Sequence, residues 1–129
     1  MSALDRSRVM GFAPTTDLGR AREFFGTTLG LTCTHEDGVA VVFDANGTMI
    51  RVTLVPELTP APFTILGWEV DDITATARAL QSRAVEFLRI DGMGQDADGV
   101  WTAPGGDQVA WFHDPDGNTL SLTQFAGGS

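Results

Sequence analysis

Residues 111–122, WFHDPDGNTLSL, read as two strands joined by a tight turn. Asp114 can accept hydrogen bonds from its own backbone, Pro115 pre-bends the chain, and Gly117 tolerates the positive φ that a sharp reversal needs. The same pattern occurs earlier, in FDANGTMIRV at 43–52: an aspartate, two residues, a glycine, then a strand of alternating character. Asn46-Gly47 strengthens that first copy as a hairpin turn.

A second pair of stretches matches in the same order. TTDLGRAREFF at 15–25 and VDDITATARAL at 70–80 each open on an acidic residue and continue with apolar residues at helical spacing. Asp17 and Asp72 are the expected N-caps, since a short carboxylate can accept from the orphan amides of a first helical turn. Leu18, Ala21 and Phe25 then share one helix face, as do Ile73, Ala77 and Leu80.

Asp17 to Asp72 is a step of 55 residues and Gly47 to Gly117 a step of 70, so the second module carries 15 extra residues. GMGQDADGVWTAPGG at 92–106 is where they fall, and its glycines, acids and proline predict a long loop of the kind that more often serves function. Each module reads β-α-β-β-β. Strands are expected near 8–14, 31–36, 39–44 and 48–55 with a helix over 17–29. The second set is expected near 63–70, 86–91, 107–113 and 119–125 with a helix over 72–82. One helix per module covers one sheet face and leaves the other free to line a cleft.

Composition narrows the classes. A chain of 129 residues is one domain's worth and can bury a real core. Its 43% hydrophobic and 19% charged residues are ordinary globular values. No apolar run approaches the roughly 20 residues of a membrane span, and MSALDRSRVM lacks the apolar segment of a secretory signal, so a cytoplasmic protein without membrane contact is expected. The lone Cys33 excludes an intramolecular disulfide and a cysteine-rich zinc site. With net charge −9, eight arginines as the only cations and no basic cluster, nucleic acid is not an expected partner. Such acidity would favour cationic ligands.

The repeated modules, the helix openings DLGRAREFF and VDDI, the LGL after the first helix, and above all WFHDPDGNTLSL resemble the vicinal-oxygen-chelate superfamily. That superfamily includes glyoxalases, bleomycin-resistance proteins and extradiol dioxygenases. The resemblance spans residues 8 to 125. It implies an α+β fold in one domain, 1–129: two tandem βαβββ modules, about 8–55 and 63–125, form a curved mixed sheet around a cleft with the helices outside. It also implies that members often pair as homodimers. In metal-dependent members it implies a divalent ion held by side chains from the first and last strand of each module. Counting four residues past each hairpin glycine gives Arg51 and Ser121; counting seven back from each capping aspartate gives Met10 and Ile65. Those side chains do not suit a hard divalent cation, and a slip of one residue in either direction offers no better donor. His35 and His113 lie on other strands. No metal and no other cofactor are therefore expected.

Strand alternation assigns the expected cleft face. Pairing 111 with 121 puts Val109, Trp111, His113, Thr119, Ser121 and Thr123 there, with Ala110, Phe112, Leu120 and Leu122 in the core. The same logic places Val41, Phe43, Met49, Arg51 and Thr53 on that face in module one, together with Met10, Phe12, Ile65, Gly67 and Glu69 from the first strands. Trp68 goes to the core, and Trp101 reaches the cleft from the long loop. The candidate ligand-binding set is thus Phe12, Phe43, Met49, Arg51, Ile65, Glu69, Trp101, Trp111, His113 and Ser121, an apolar, aromatic trough with a few polar handles. Arg51 and Glu69 could pair with each other or with a ligand. Glu69 or His113 could move a proton, but no nucleophile–base spacing is evident, so no catalytic residue is assigned. The expected function is metal-free binding of a small aromatic or cationic molecule. The alternatives are a lyase, isomerase or dioxygenase of the same superfamily, metal-independent or with non-standard ligands, and a domain with a vestigial cleft that serves protein interaction.

Overall fold

The computed structural model describes residues 3–128. The chain divides into two compact units, one through Leu58 and one from Thr59. Each holds a four-stranded mixed sheet with a short helix, an α+β arrangement of two tandem modules.

In the first unit the elements run β1 (Met10–Thr15), α1 (Leu18–Arg22), a π-helical segment (Glu23–Thr28), β2 (Thr32–Glu36), β3 (Ala40–Ala45) and β4 (Thr48–Leu54). The sheet order is β1-β4-β3-β2, with β1 parallel to β4 and the other pairs antiparallel. Asp17 caps α1, its Oδ1 accepting from the Arg20 amide at 3.0 Å, an interaction of the kind that stabilises a helix by about 1 kcal/mol. The helix expected over 17–29 is regular only to Arg22. Beyond it the Leu29 amide reaches back five residues to the Phe24 carbonyl at 2.9 Å. Gly26, Thr27 and Thr28 are weak helix formers and hold the tighter ladder poorly. The wider turn keeps Phe25 buried, its ring 5.7 Å from that of Phe43.

In the second unit β5 (Thr64–Glu69) leads to α2 (Ile73–Gln81), and the chain returns through β6 (Trp101–Thr102), β7 (Gln108–His113) and β8 (Thr119–Gln124). The order is β5-β8-β7-β6, again with one parallel pair, β5 with β8. Asp72 caps α2 through the Ala75 amide at 3.0 Å, and Gln124 accepts from the Ile73 amide at 2.9 Å, tying the helix start to the end of β8. Ile73, Ala77 and Leu80 are buried on one stripe, as their spacing predicts. The turn after β7 is held by Asp114: Oδ1 accepts from the amides of Asp116 and Asn118 at 3.0 and 2.9 Å, and Oδ2 from Asn118 Nδ2 at 2.8 Å.

Two expectations need correction. The strand expected over 86–91 is a single bridge, Phe87 to Phe112, with the Leu88 amide donating to the Trp111 carbonyl at 2.8 Å. Ala84, at φ 69°, turns the chain sharply after α2, and the Gln95 side chain then takes the hydrogen bonds a neighbouring strand would have made. Trp101–Thr102 from the long loop continues the edge of β7 instead.

The second correction concerns faces in the first unit. Alternation carried over from the second hairpin puts Phe43 and Val41 beside Met49 and Arg51. The register instead pairs Phe43 with Ile50 and Val41 with Val52, and all four are buried in the core with Phe25. Met49 faces Asp44, and Arg51 faces Val42. The cause is turn length. Ala45 pairs with Thr48 across a two-residue Asn46-Gly47 turn, both residues at positive φ, whereas five residues lie between the last pair of the second hairpin, His113 and Thr119. The different turn shifts the pairing by one residue and turns β3 over. Among the described residues no helix is long and apolar enough to cross a membrane.

Candidate functional site

In the second unit three rows of side chains run across the sheet face opposite α2. Glu69, Thr123, Val109 and Trp101 form the first, one residue from each of the four strands. Gly67, Ser121 and Trp111 form the second. Thr64, Thr119 and His113 form the third. The pairing of Trp111 with Ser121 is the one the hairpin pattern predicts, and Ala110, Phe112, Leu120 and Leu122 are buried on the helix side. Ile65 sits in a bulge, so Thr64 rather than Ile65 lies opposite Thr119.

Trp101 and Trp111 meet on this face with ring centroids 6.1 Å apart and planes tilted by 34°. Both are half-buried. The long loop that supplies Trp101 is tied down at several points. Gln95 Nε2 donates to the carbonyls of Leu88 and Gly99, each at 2.8 Å, while its Oε1 accepts from the Ile90 amide at 2.7 Å. Asp96 Oδ1 accepts from the amides of Asp98 and Val100, both at 2.9 Å. Arg89 donates to the carbonyls of Asp96 and Ala97, and Arg78 pairs with Asp98 at 3.2 Å, joining the loop to α2. Held by side chains at both ends, the loop carries Trp101 as part of the sheet edge rather than as a free lid.

Beside the two tryptophans the floor is low. A Cβ on Gly67 would lie 2.8 Å from Ser121 Oγ, so the glycine and the serine share one shallow strip, and Ser121 is only 6% exposed at its bottom. Glu69 stands exposed at the far edge and takes part in no ion pair among the described residues. Next to it lies a cavity of about 180 Å³ lined by Glu69, Asp71, Gln124 and Phe125 among others. The unit from Thr59 holds ten carboxylates against three arginines, and the unit through Leu58 seven against five. The aromatic face therefore belongs to the more acidic unit.

In the first unit Met10, Met49 and Asp44 lie in one row and Phe12, Arg51 and Val42 in the next. Phe12 is 58% exposed. Arg51 is half-buried and makes no ion pair among the described residues. A cavity of about 300 Å³ opens at the start of β1, with Val9, Met10, Met49 and the otherwise buried Phe43 as apolar lining and Arg8, Thr34 and Asp44 as polar lining. No motif marks Arg8, Asp44 belongs to the hairpin pattern and Asp71 to the VDDI helix opening, and neither cavity could be read from spacing, because each gathers residues from elements distant in sequence.

The side chains at the four positions that the sequence resemblance singles out are poor ligands for a hard divalent ion. Met10, Arg51, Ile65 and Ser121 offer a thioether, a cation, an alkyl group and a hydroxyl, none of which suits a hard divalent ion. Among the described residues no three His, Cys, Asp or Glu side chains come together. His35 contacts Asp37 at 3.2 Å on an exposed strand, and His113 is exposed at the end of β7. The residues present do not fit the ion that metal-dependent relatives hold. Two carboxylates are shifted, both away from the aromatic face. Burial pushes Asp114 above the ordinary carboxylate value, against the bonds from Asn118. The amides of Val39 and Ala40, with His35, hold Asp37 below it.

A model of the Glyoxalase/Bleomycin resistance protein/Dioxygenase superfamily matches residues 8–122. Among curated proteins there is no match. Solved structures with the same fold include a lactoylglutathione lyase from Agrobacterium tumefaciens, at TM-score 0.72 and 16% identity over 96% of each chain. A glyoxalase/bleomycin resistance protein/dioxygenase from Nocardioides aligns at TM-score 0.72 and 18% identity, over 98% of this chain and 88% of its own. A superfamily member from Sphaerobacter thermophilus aligns at 0.70 and 22%, over 91% and 97%. At these identities the likeness is one of fold.

Proposed function

Since the chain belongs to the glyoxalase/bleomycin resistance protein/dioxygenase superfamily, we propose that it is a metal-free member that binds and sequesters a small aromatic or cationic molecule. The observation that carries this reading is the Trp101–Trp111 pair, half-buried on an open sheet face of the more acidic unit. Aromatic pairs of this kind give a ligand ring a large apolar contact, and the surrounding carboxylates draw cations toward it. The donor-poor positions Met10, Arg51, Ile65 and Ser121 argue in the same direction, because binding through apolar and aromatic contact requires no ion. Exposed Glu69 and half-buried Thr123 are the polar handles that would orient the guest.

The test is a titration of intrinsic tryptophan fluorescence with planar quinolinium and acridinium cations, after exhaustive dialysis against a chelator. Saturable quenching is expected, unchanged by added divalent ions and weakened at least tenfold in Trp111→Leu, which removes about 1.4 kcal/mol or more of stacking and burial. Flat curves across the panel, or binding that appears only with added metal, would count against the proposal. A second copy of the chain is the proposed partner: β1 and β2 are the edges of the first sheet, and exposed Val9 and Phe12 lie along β1 and just before it. Sedimentation equilibrium at micromolar concentration checks this, and a monomer mass throughout would rule it out.

A further inference from the structure

Resting on the aromatic-site reading above, the geometry of the second unit points to a narrower ligand class. We propose that its open face is a two-point site for an elongated aromatic cation, with the ring on the Trp101–Trp111 pair and the cationic group at Glu69. The register supplies the ruler. Trp111 lies on β7 and Glu69 on β5, two strands apart, and their rows differ by one step along β8, from Ser121 to Thr123. With strands about 4.8 Å apart and about 6.7 Å between alternate residues, the backbone positions of Trp111 and Glu69 are separated by on the order of 12 Å. A small cation such as anilinium or a methylated quinolinium reaches only one end. Between the ends, Gly67 contributes no side chain and Ser121 beside it is buried, so a linker can cross the strip they share without climbing a wall.

The Glu69 end suits a cation better than a neutral group. Its carboxylate makes no ion pair among the described residues, and Asp71 lines the same cavity of about 180 Å³. Phe125, 46% exposed, lines the same cavity. Two of the unit's three arginines are committed elsewhere: Arg78 to Asp98, and Arg89 to the carbonyls of the long loop. The cavity alone would be an acidic hollow. What gives it a ligand is its place in the same row as Trp101, across one continuous sheet face from the only Trp–Trp contact among the described residues.

The experiment uses naphthalenesulfonamides bearing a terminal primary amine on chains of two, four, six and eight methylenes, with the uncharged hexyl analogue as reference, titrated into the full chain by calorimetry. Affinity is expected to peak at the six-methylene chain and to exceed the hexyl analogue two- to fivefold, the range of a partly exposed ion pair. Glu69→Gln should abolish that advantage and the length optimum while leaving the hexyl analogue bound. Glu86→Gln, which removes an exposed carboxylate outside the three rows, should leave both intact. Equal affinity at every chain length, or equal loss in the two variants, would overturn the two-point site while leaving the aromatic-site reading standing. Failure of every naphthyl probe, the hexyl analogue included, would overturn that reading and this inference together.

Discussion

Asp114 shows how a residue that looks chemical can be structural. It sits in the most family-specific stretch of the chain, is buried, and is shifted upward in pKa, yet its oxygens are taken by Asp116 and Asn118. It holds a turn. Asp114→Ala should cost about 2 kcal/mol, the loss of three hydrogen bonds offset in part by removal of a buried charge, and chemical denaturation would measure it. Its raised pKa fixes a sign: folding disfavours the ionised form, so the penalty is full at neutral pH and is relieved as pH falls through the raised value. Asp37 has the opposite sense. Its stabilisation is present above the ordinary value of 3.8 and is lost as pH falls through a lower one. Carboxyl-carbon NMR should find the Asp114 midpoint above 3.8 and the Asp37 midpoint below it. Phe43 makes the complementary case. Fully buried against Phe25, it packs in the core, and Phe43→Ala should cost about 3–5 kcal/mol in thermal or urea unfolding with little effect on affinity at the Trp101–Trp111 face of the other unit.

At the scale of elements, the loop over 92–106 is the part of the chain that departs from the repeat, and Gln95 is its main anchor. One side chain satisfies three backbone groups, at Leu88, Ile90 and Gly99. Gln95→Ala should therefore release the loop locally, at about 1–3 kcal/mol, while the sheet remains. Hydrogen exchange at Ile90 should quicken, and near-ultraviolet circular dichroism should lose any signal of the Trp101–Trp111 contact. Unchanged exchange and dichroism would show that Asp96 and the two arginines suffice. Helix α2, the place of each hairpin turn and both caps were legible from local pattern, since a cap needs only a short carboxylate and three following amides. The edge beside β7 was not. Whether 86–91 or 101–102 fills it depends on the competition between Gln95 and the ladder for the same hydrogen bonds, a contest between residues that no periodicity records.

Across the molecule, the excess of negative charge should govern how a cationic guest arrives. With net charge −9, seven-tenths of the carboxylate excess and more lying in the unit that carries the tryptophans, attraction extends about 10 Å at 0.1 M salt and about 3 Å at 1 M. Affinity for a cationic probe should fall several-fold over that range, whereas a neutral naphthyl probe should hold or tighten slightly; paired titrations at the two salt concentrations check this. By itself the sequence determined that two like modules succeed each other, where each helix is capped, and which residues face α2 in the second sheet. Those properties are set by neighbours a few residues apart or by residue chemistry alone. Only the tertiary structure decided that β3 is turned over by its two-residue turn, that Trp101 is brought against Trp111, and that Glu69 shares a row with it. Pairing across strands has a period of two, so a single residue of turn length or a single anchored loop inverts or relocates a whole set of side chains.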